Sequence, residues 1–106
     1  MKMTLAELLA KKEVLMKMYG GVTEFSRVVE IEEKVIEPLE RILKAYNKKK
    51  QPLVDRAKDD PEGAEKAHRD LLSEEIDVPV IKVEKKDIEG QGLNVFEYRA
   101  IKEFIT

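Results

Sequence analysis

A chain of 106 residues holds one modest core, and its lack of cysteine excludes disulfides, thiolate metal sites and thiol nucleophiles. Charged side chains make up 40 % of it, against roughly 25 % in an average domain, which is the profile of long solvated helices and an elongated shape. The net charge of −2 is spread unevenly, at +2 over residues 1–23, −2 over 24–44, +4 over 45–58 and −6 over 59–106, so the chain is bipolar and not basic.

Thr4 and Glu7 form a capping box, with Met3 and Leu8 as a hydrophobic staple, so a first helix is expected to start at Thr4. Leu5, Leu8, Leu9, Leu15, Met16 and Tyr19 supply its apolar face, and Gly20-Gly21 is expected to stop it with left-handed backbone. The apolar run in this segment is too short for a signal peptide, and no segment reaches the roughly 18 apolar residues of a membrane span. The expected setting is cytoplasmic.

Thr23 is placed to cap a second, much longer helix. Phe25, Val28, Val35, Leu39, Ile42, Tyr46 and Leu53 recur at spacings of three and four or their multiples, which puts one narrow apolar face along it. Glu32 and Lys49 interrupt that stripe, so it cannot be a tight zipper throughout. Glu30 with Lys34, Glu37 with Arg41 and Glu40 with Lys44 are acid-before-base pairs four residues apart, each adding about 0.2–0.5 kcal/mol of helix stability. Pro38 lacks the N–H that would reach the Lys34 carbonyl, yet the apolar rhythm resumes at Leu39, so the reading is one helix kinked at Pro38. A second kink is favoured at Pro52 over a break.

Asp60 caps a third helix, with Pro61 at its first position, running to about Glu75 and back along the second. Ala64, Ala67, Leu71 and Leu72 form its apolar face. Beyond it Ile76, Val78 and Val80 alternate with Asp77 and Pro79, followed by Ile81 and Val83, the pattern of an extended edge segment. A lone strand is unstable, so this one is expected to pair with a second copy or a partner chain, or to lie on the helices as an arm. After a turn at Asp87–Gly92, Asn94 and Glu97 repeat the capping box, with Leu93 and Tyr98 as staple, and a last short helix presents Ile101, Phe104 and Ile105. The fold class expected is therefore mainly α: a single domain of residues 1–106, with an elongated antiparallel helical hairpin over 1–75 and an extended arm plus short helix over 76–106.

Residues with chemical potential are few. His68 is the sole histidine and has no His or Cys companion for a metal. Asp59, Asp60, Glu62 and Glu65 lack the spacing of a calcium loop and read as helix capping. Gly20-Gly21 and Gly90-Gln91-Gly92 are turns without the Lys and Ser/Thr of a phosphate loop, and neither Ser26 nor Ser73 sits on a nucleophile elbow. No catalytic residue, cofactor site or metal site is assigned, and the chain is expected not to be an enzyme. The basic tract Lys48, Lys49, Lys50, Arg56 and Lys58 is the candidate for nucleic-acid contact, although three consecutive lysines point around a helix and not along one face.

Taken together, the short first helix (Leu5, Leu8, Leu9), the long helix through Val35-Ile36-Glu37-Pro38-Leu39, the tail Leu71 to Val83, the turn Asp87-Ile88-Glu89-Gly90 and the final segment Asn94 to Ile105 resemble a family of small uncharacterised proteins of tailed bacteriophages and prophages. The resemblance covers nearly the full length and implies a protein-interaction role in phage biology. The expected function is a non-enzymatic interaction or assembly protein, binding a protein partner or itself as a homodimer. The alternative is a small nucleic-acid-associated or host-defence-modulating protein using Lys48 to Lys58. Ile76, Val78, Val80, Ile81, Val83, Ile101, Phe104 and Ile105 are the candidate interface residues, so removal of everything after Glu75 is expected to leave a helical monomer that no longer binds.

Overall fold

A computed structural model describes residues 1–106. Its elements are β1 (Lys2–Thr4), α1 (Leu5–Tyr19), α2 (Phe25–Ile31), a π-helical turn (Glu32–Ile36), α3 (Glu37–Arg56), α4 (Pro61–Leu72), β2 (Glu75–Asp77), α5 (Lys85–Ile88) and α6 (Val95–Ile101), with short 3₁₀ turns at Glu89–Gln91 and Lys102–Phe104. The protein is mainly helical. From α2 through α3 the chain is one 32-residue helix, which at about 1.5 Å per residue sets a long axis of roughly 48 Å. The Cα extents of 51 × 29 × 21 Å and the radius of gyration of 16.2 Å follow from it; a compact chain of this size would have a radius near 13 Å.

The two prolines do not end the long helix, for identifiable reasons. Pro38 has no N–H, and its ring would crowd the Lys34 carbonyl in a regular ladder. Immediately before it the helix widens into the π turn, where the Glu37 N–H donates to the Glu32 carbonyl five residues back, and this shift in the ladder accommodates the ring. Pro52 lies inside α3, which continues to Arg56. Thr23 is not the cap: Glu24 occupies that position with extended backbone and no side-chain capping bond. Val22 is buried in the core, so the connection turns inward and the helix starts one residue later than expected.

At α1 the Thr4 hydroxyl accepts from the Glu7 N–H at 3.2 Å, as the capping motif requires. Gly20 closes the helix in right-handed backbone (φ −62°, ψ −17°), so the expected left-handed stop is not used. The glycine pair has another cause. The Gly21 backbone lies against the Asp87 carbonyl so closely that a Cβ would collide with its oxygen. Gly21→Ala should therefore cost about 1–3 kcal/mol through overpacking of backbone on backbone. Thermal melting checks this, since an unchanged Tm would mean that the Asp87 loop yields freely.

The third helix ends earlier than expected, at Leu72, where Ser73 caps it and donates from its hydroxyl to the Asp70 carbonyl at 2.8 Å. Asp60 and Pro61 start it as anticipated, the Asp60 carboxylate accepting from the Gly63 N–H at 3.0 Å. Helix α4 then packs back along α3, forming the hairpin.

The chain itself supplies the partner that the extended segment requires. β2 pairs antiparallel with β1, Lys2 opposite Asp77, Met3 opposite Ile76 and Thr4 opposite Glu75. The ladder is prolonged by Leu5 N–H to Glu74 C=O (3.0 Å) and Val78 N–H to Met1 C=O (2.7 Å). Further on, Val83 N–H donates to Phe104 C=O at 2.9 Å and Thr106 N–H to Val83 C=O at 2.8 Å, a parallel bridge between Val83 and Ile105. Gly92 takes the left-handed conformation (φ 66°) that ends the 3₁₀ turn before α6. The α6 capping box is complete, with Glu97 N–H to Asn94 Oδ1 at 2.9 Å and Asn94 N–H to Glu97 Oε1 at 3.2 Å.

One core joins all of this. Leu8, Leu15 and Met18 of α1 meet Ile31, Val35 and Leu39 of the long helix, and Val78, Val83, Ile101 and Phe104 close it from the tail. This core draws on both the 1–75 hairpin region and the 76–106 tail.

Candidate interaction surfaces

The eight tail residues expected at an interface face the chain's own interior. Val78, Val83, Ile101 and Phe104 are fully buried, and Ile76, Val80, Ile81 and Ile105 are half-buried against the same core. The Tyr19 hydroxyl fixes this arrangement by donating to Ile81 C=O and accepting from Ile81 N–H, both at 3.0 Å. Burial pushes the Tyr19 hydroxyl's pKa up, so it stays protonated and able to donate. The pairing of the tail with β1 could not be read from sequence, because β1 is only three residues long and Lys2-Met3-Thr4 carries too little alternation to announce a strand.

The basic tip is partly neutralised within the chain. Arg56 pairs with Asp60 at 3.0 Å, Lys49 lies 3.7 Å from Glu74, and the Lys50 ammonium sits 5.9 Å from the centre of the Tyr46 ring. Lys48 and Lys58 stand outside the ion pairs and are exposed. Beneath the tip, His68 Nε2 and the Tyr46 hydroxyl are hydrogen-bonded at 2.9 Å beside a notch lined by Leu53, Val54, Ala57, Pro61 and Ala64. Nowhere do three His, Asp or Glu side chains converge as metal ligands would.

The surfaces that do remain apolar lie elsewhere. Phe25 is 80 % exposed, with Val28 and Val29 also water-facing, because the buried stripe of the long helix overruns the end of α1 and finds nothing to cover its first turn. On α6, Phe96 is 76 % exposed, and Val95 and Tyr98 join it. The sequence held a signal for this second patch. Val95, Phe96, Tyr98 and Ile101 point to more than one side of a seven-residue helix, which cannot bury them all in one core. A shallow, mainly apolar groove is lined by Met16, Tyr19, Val22, Val28, Ile31 and Ile36.

Both patches sit on anchored elements. Arg27 donates to Asp87 at 2.8 Å, and the same carboxylate accepts the Glu84 N–H at 3.1 Å, so one side chain ties α2 to the cap of α5. Lys17 reaches Glu97 at 3.2 Å and ties α1 to α6. Arg27 holds the Asp87 carboxyl below the usual carboxylate range, and the Asn94 N–H followed by Lys17 does the same for Glu97. Asp60 is lowered by the Gly63 N–H and then by Arg56.

A carboxyl with a depressed folded-state pKa stabilises the native state fully above its unfolded value, near pH 4, and the contribution disappears as pH falls through the folded value. Tm is therefore expected to fall on acidification below about pH 4. Asp87→Asn should flatten that acid limb, and melts at neutral and acid pH measure it; an unaltered slope would show that the Arg27 contact contributes nothing.

A scan against protein-family models and searches of curated proteins and of solved structures find no match to this chain. The two uncovered apolar patches and the charge distribution are accordingly the features from which a functional reading is built.

Proposed function

We propose that this chain is a non-enzymatic protein-interaction or assembly protein, phage- or prophage-related, that works inside the host cell by binding another protein or a second copy of itself. The observation that carries the reading is the pair of nearly naked phenylalanines, Phe25 and Phe96, held on helices that capping and ion pairs fix in place. Contiguous exposed apolar surface on an ordered element is what partner-binding surfaces have, and aromatic side chains are enriched there. Because these helices are anchored, binding requires little ordering of the chain, which preserves affinity. The phage setting rests on the sequence resemblance to small tailed-phage proteins alone.

The test is a double variant, Phe25→Ser with Phe96→Ser. It should lose capture of its partner from the native host while melting within a few degrees of the wild type, since neither side chain contributes to the core. The same proteins titrated with DNA over a range of salt address the other reading. A basic-tip binder would lose affinity steeply and linearly on a log–log salt plot, whether or not the phenylalanines are present. That result, with partner capture unchanged by the double variant, would overturn the interaction reading.

A further inference from the structure

The long helix is electrically divided at its midpoint. Residues 25–40 carry five glutamates against one arginine and one lysine, net −3, and residues 41–56 carry four lysines and two arginines against one aspartate, net +5. The helix macrodipole does not account for this, since its influence fades within the first and last turns, whereas Glu33, Glu37, Lys44 and Lys48 lie two or more turns inside. Pairing within the chain does not account for it either. Glu37 meets Arg41 only at 3.8 Å, and Glu32, Glu33, Glu40, Lys44 and Lys48 belong to no ion pair.

These charges share the outward face. Ile31, Val35, Leu39 and Tyr46 are the buried positions of this helix, and Glu33, Glu37, Lys44 and Lys48 each stand two residues from one of them, so they point away from the core. At the centre, Glu37, Glu40, Arg41 and Lys44 line one shallow surface depression with no apolar residue in it. Reversed about its midpoint, between residues 40 and 41, that quartet maps onto its own complement: Glu37 falls on Lys44 and Glu40 on Arg41. One turn further out, Glu33 falls on Lys48. A parallel copy would set like charge on like.

We propose that a second copy of this chain binds along the outward face of the long helix in antiparallel orientation, about a two-fold axis at residues 40 and 41. The inference rests on the interaction reading above and names a second copy as one partner. The symmetry brings the uncovered apolar turn of one copy, Phe25 and Val29, towards Pro52 and the exposed Val54 of the other, at both ends of the pair. A two-fold contact of this kind uses one patch twice and closes, so it gives a dimer and not a filament. Helix pairs use flanking charges of this sort to set orientation and partner choice.

Charge exchange tests it by sedimentation at high protein concentration and low salt. The wild type should sediment as a dimer and dissociate when salt is raised, because exposed charge pairs are screened. Glu33→Lys with Glu37→Lys should be monomeric, as should Lys44→Glu with Lys48→Glu. An equimolar mixture of the two should recover a heterodimer, and the fourfold exchange in one chain should recover the homodimer. Circular dichroism on each variant confirms that the helix persists. The absence of cysteine permits a second readout: Glu33→Cys mixed with Lys48→Cys should form a disulfide-linked pair, and neither alone should. A wild type that stays monomeric at low salt, or double variants that still dimerise, would overturn the proposal. Partner capture that remains sensitive to the Phe25 and Phe96 substitutions in that case would leave the broader interaction reading standing.

Discussion

Leu39→Asp is expected to abolish the fold at ordinary temperature. Leu39 is 1 % exposed, in the middle of the long helix, and packs in the core shared with α1 and the tail. Truncation to alanine at such a site costs about 2–5 kcal/mol through lost burial and a cavity. Aspartate adds a charge to a core that holds no buried charged side chain, and an uncompensated buried charge by itself costs about 3–5 kcal/mol. Against a total stability of roughly 5–15 kcal/mol for a domain of this size, the sum leaves little or nothing. Thermal denaturation reads the effect directly; a Tm unchanged from the wild type would mean that the apolar stripe is not buried.

Removing residues 76–106 is the second large effect, and the tail's place in the core leads to an expected loss of cooperative folding in place of a helical monomer. The tail contributes Val78, Val83, Ile101 and Phe104 to the core, completes the only sheet and holds the Tyr19 hydroxyl. Burying each such side chain is worth about 1.5–3 kcal/mol, so losing four removes about 6–12 kcal/mol, comparable to the whole stability. The truncated chain should retain some helical dichroism from its long charged helix but melt without cooperativity and expose apolar surface. A cooperative transition near the wild-type Tm would contradict this and restore the view that the tail is free to engage a partner.

The legible parts were those governed by local rules. Thr4, Asp60 and Asn94 cap their helices as their positions demand, and Leu39 and Tyr46 lie on the buried side as the periodicity requires. Continuity through Pro38 could be read from the unbroken apolar rhythm, but the π turn that makes room for the ring could not, because it is a backbone adjustment without a sequence signature. What failed were the long-range relations. Nothing in Lys2-Met3-Thr4 says that it will meet Glu75-Ile76-Asp77, and nothing in Val83 says that it will meet Ile105. With those contacts invisible, the apolar tail looked unpartnered. The same blindness placed Phe25 and Val28 inside the seam: their spacing is right, but the seam's other wall stops at Tyr19.

The tail is part of this chain's core, which leaves the apolar patches around Phe25 and Phe96 and the charged face of the long helix as its open surfaces. Native-state amide hydrogen exchange tests it most directly, because the relevant donors are named: Val78 to Met1, Val83 to Phe104 and Thr106 to Val83. The Val78 and Val83 amides are expected to exchange as slowly as those around Leu8 and Leu15 in α1, and to open only with global unfolding. Fast exchange at Val78 and Val83 while the α1 amides stay protected would show an undocked tail and contradict the account.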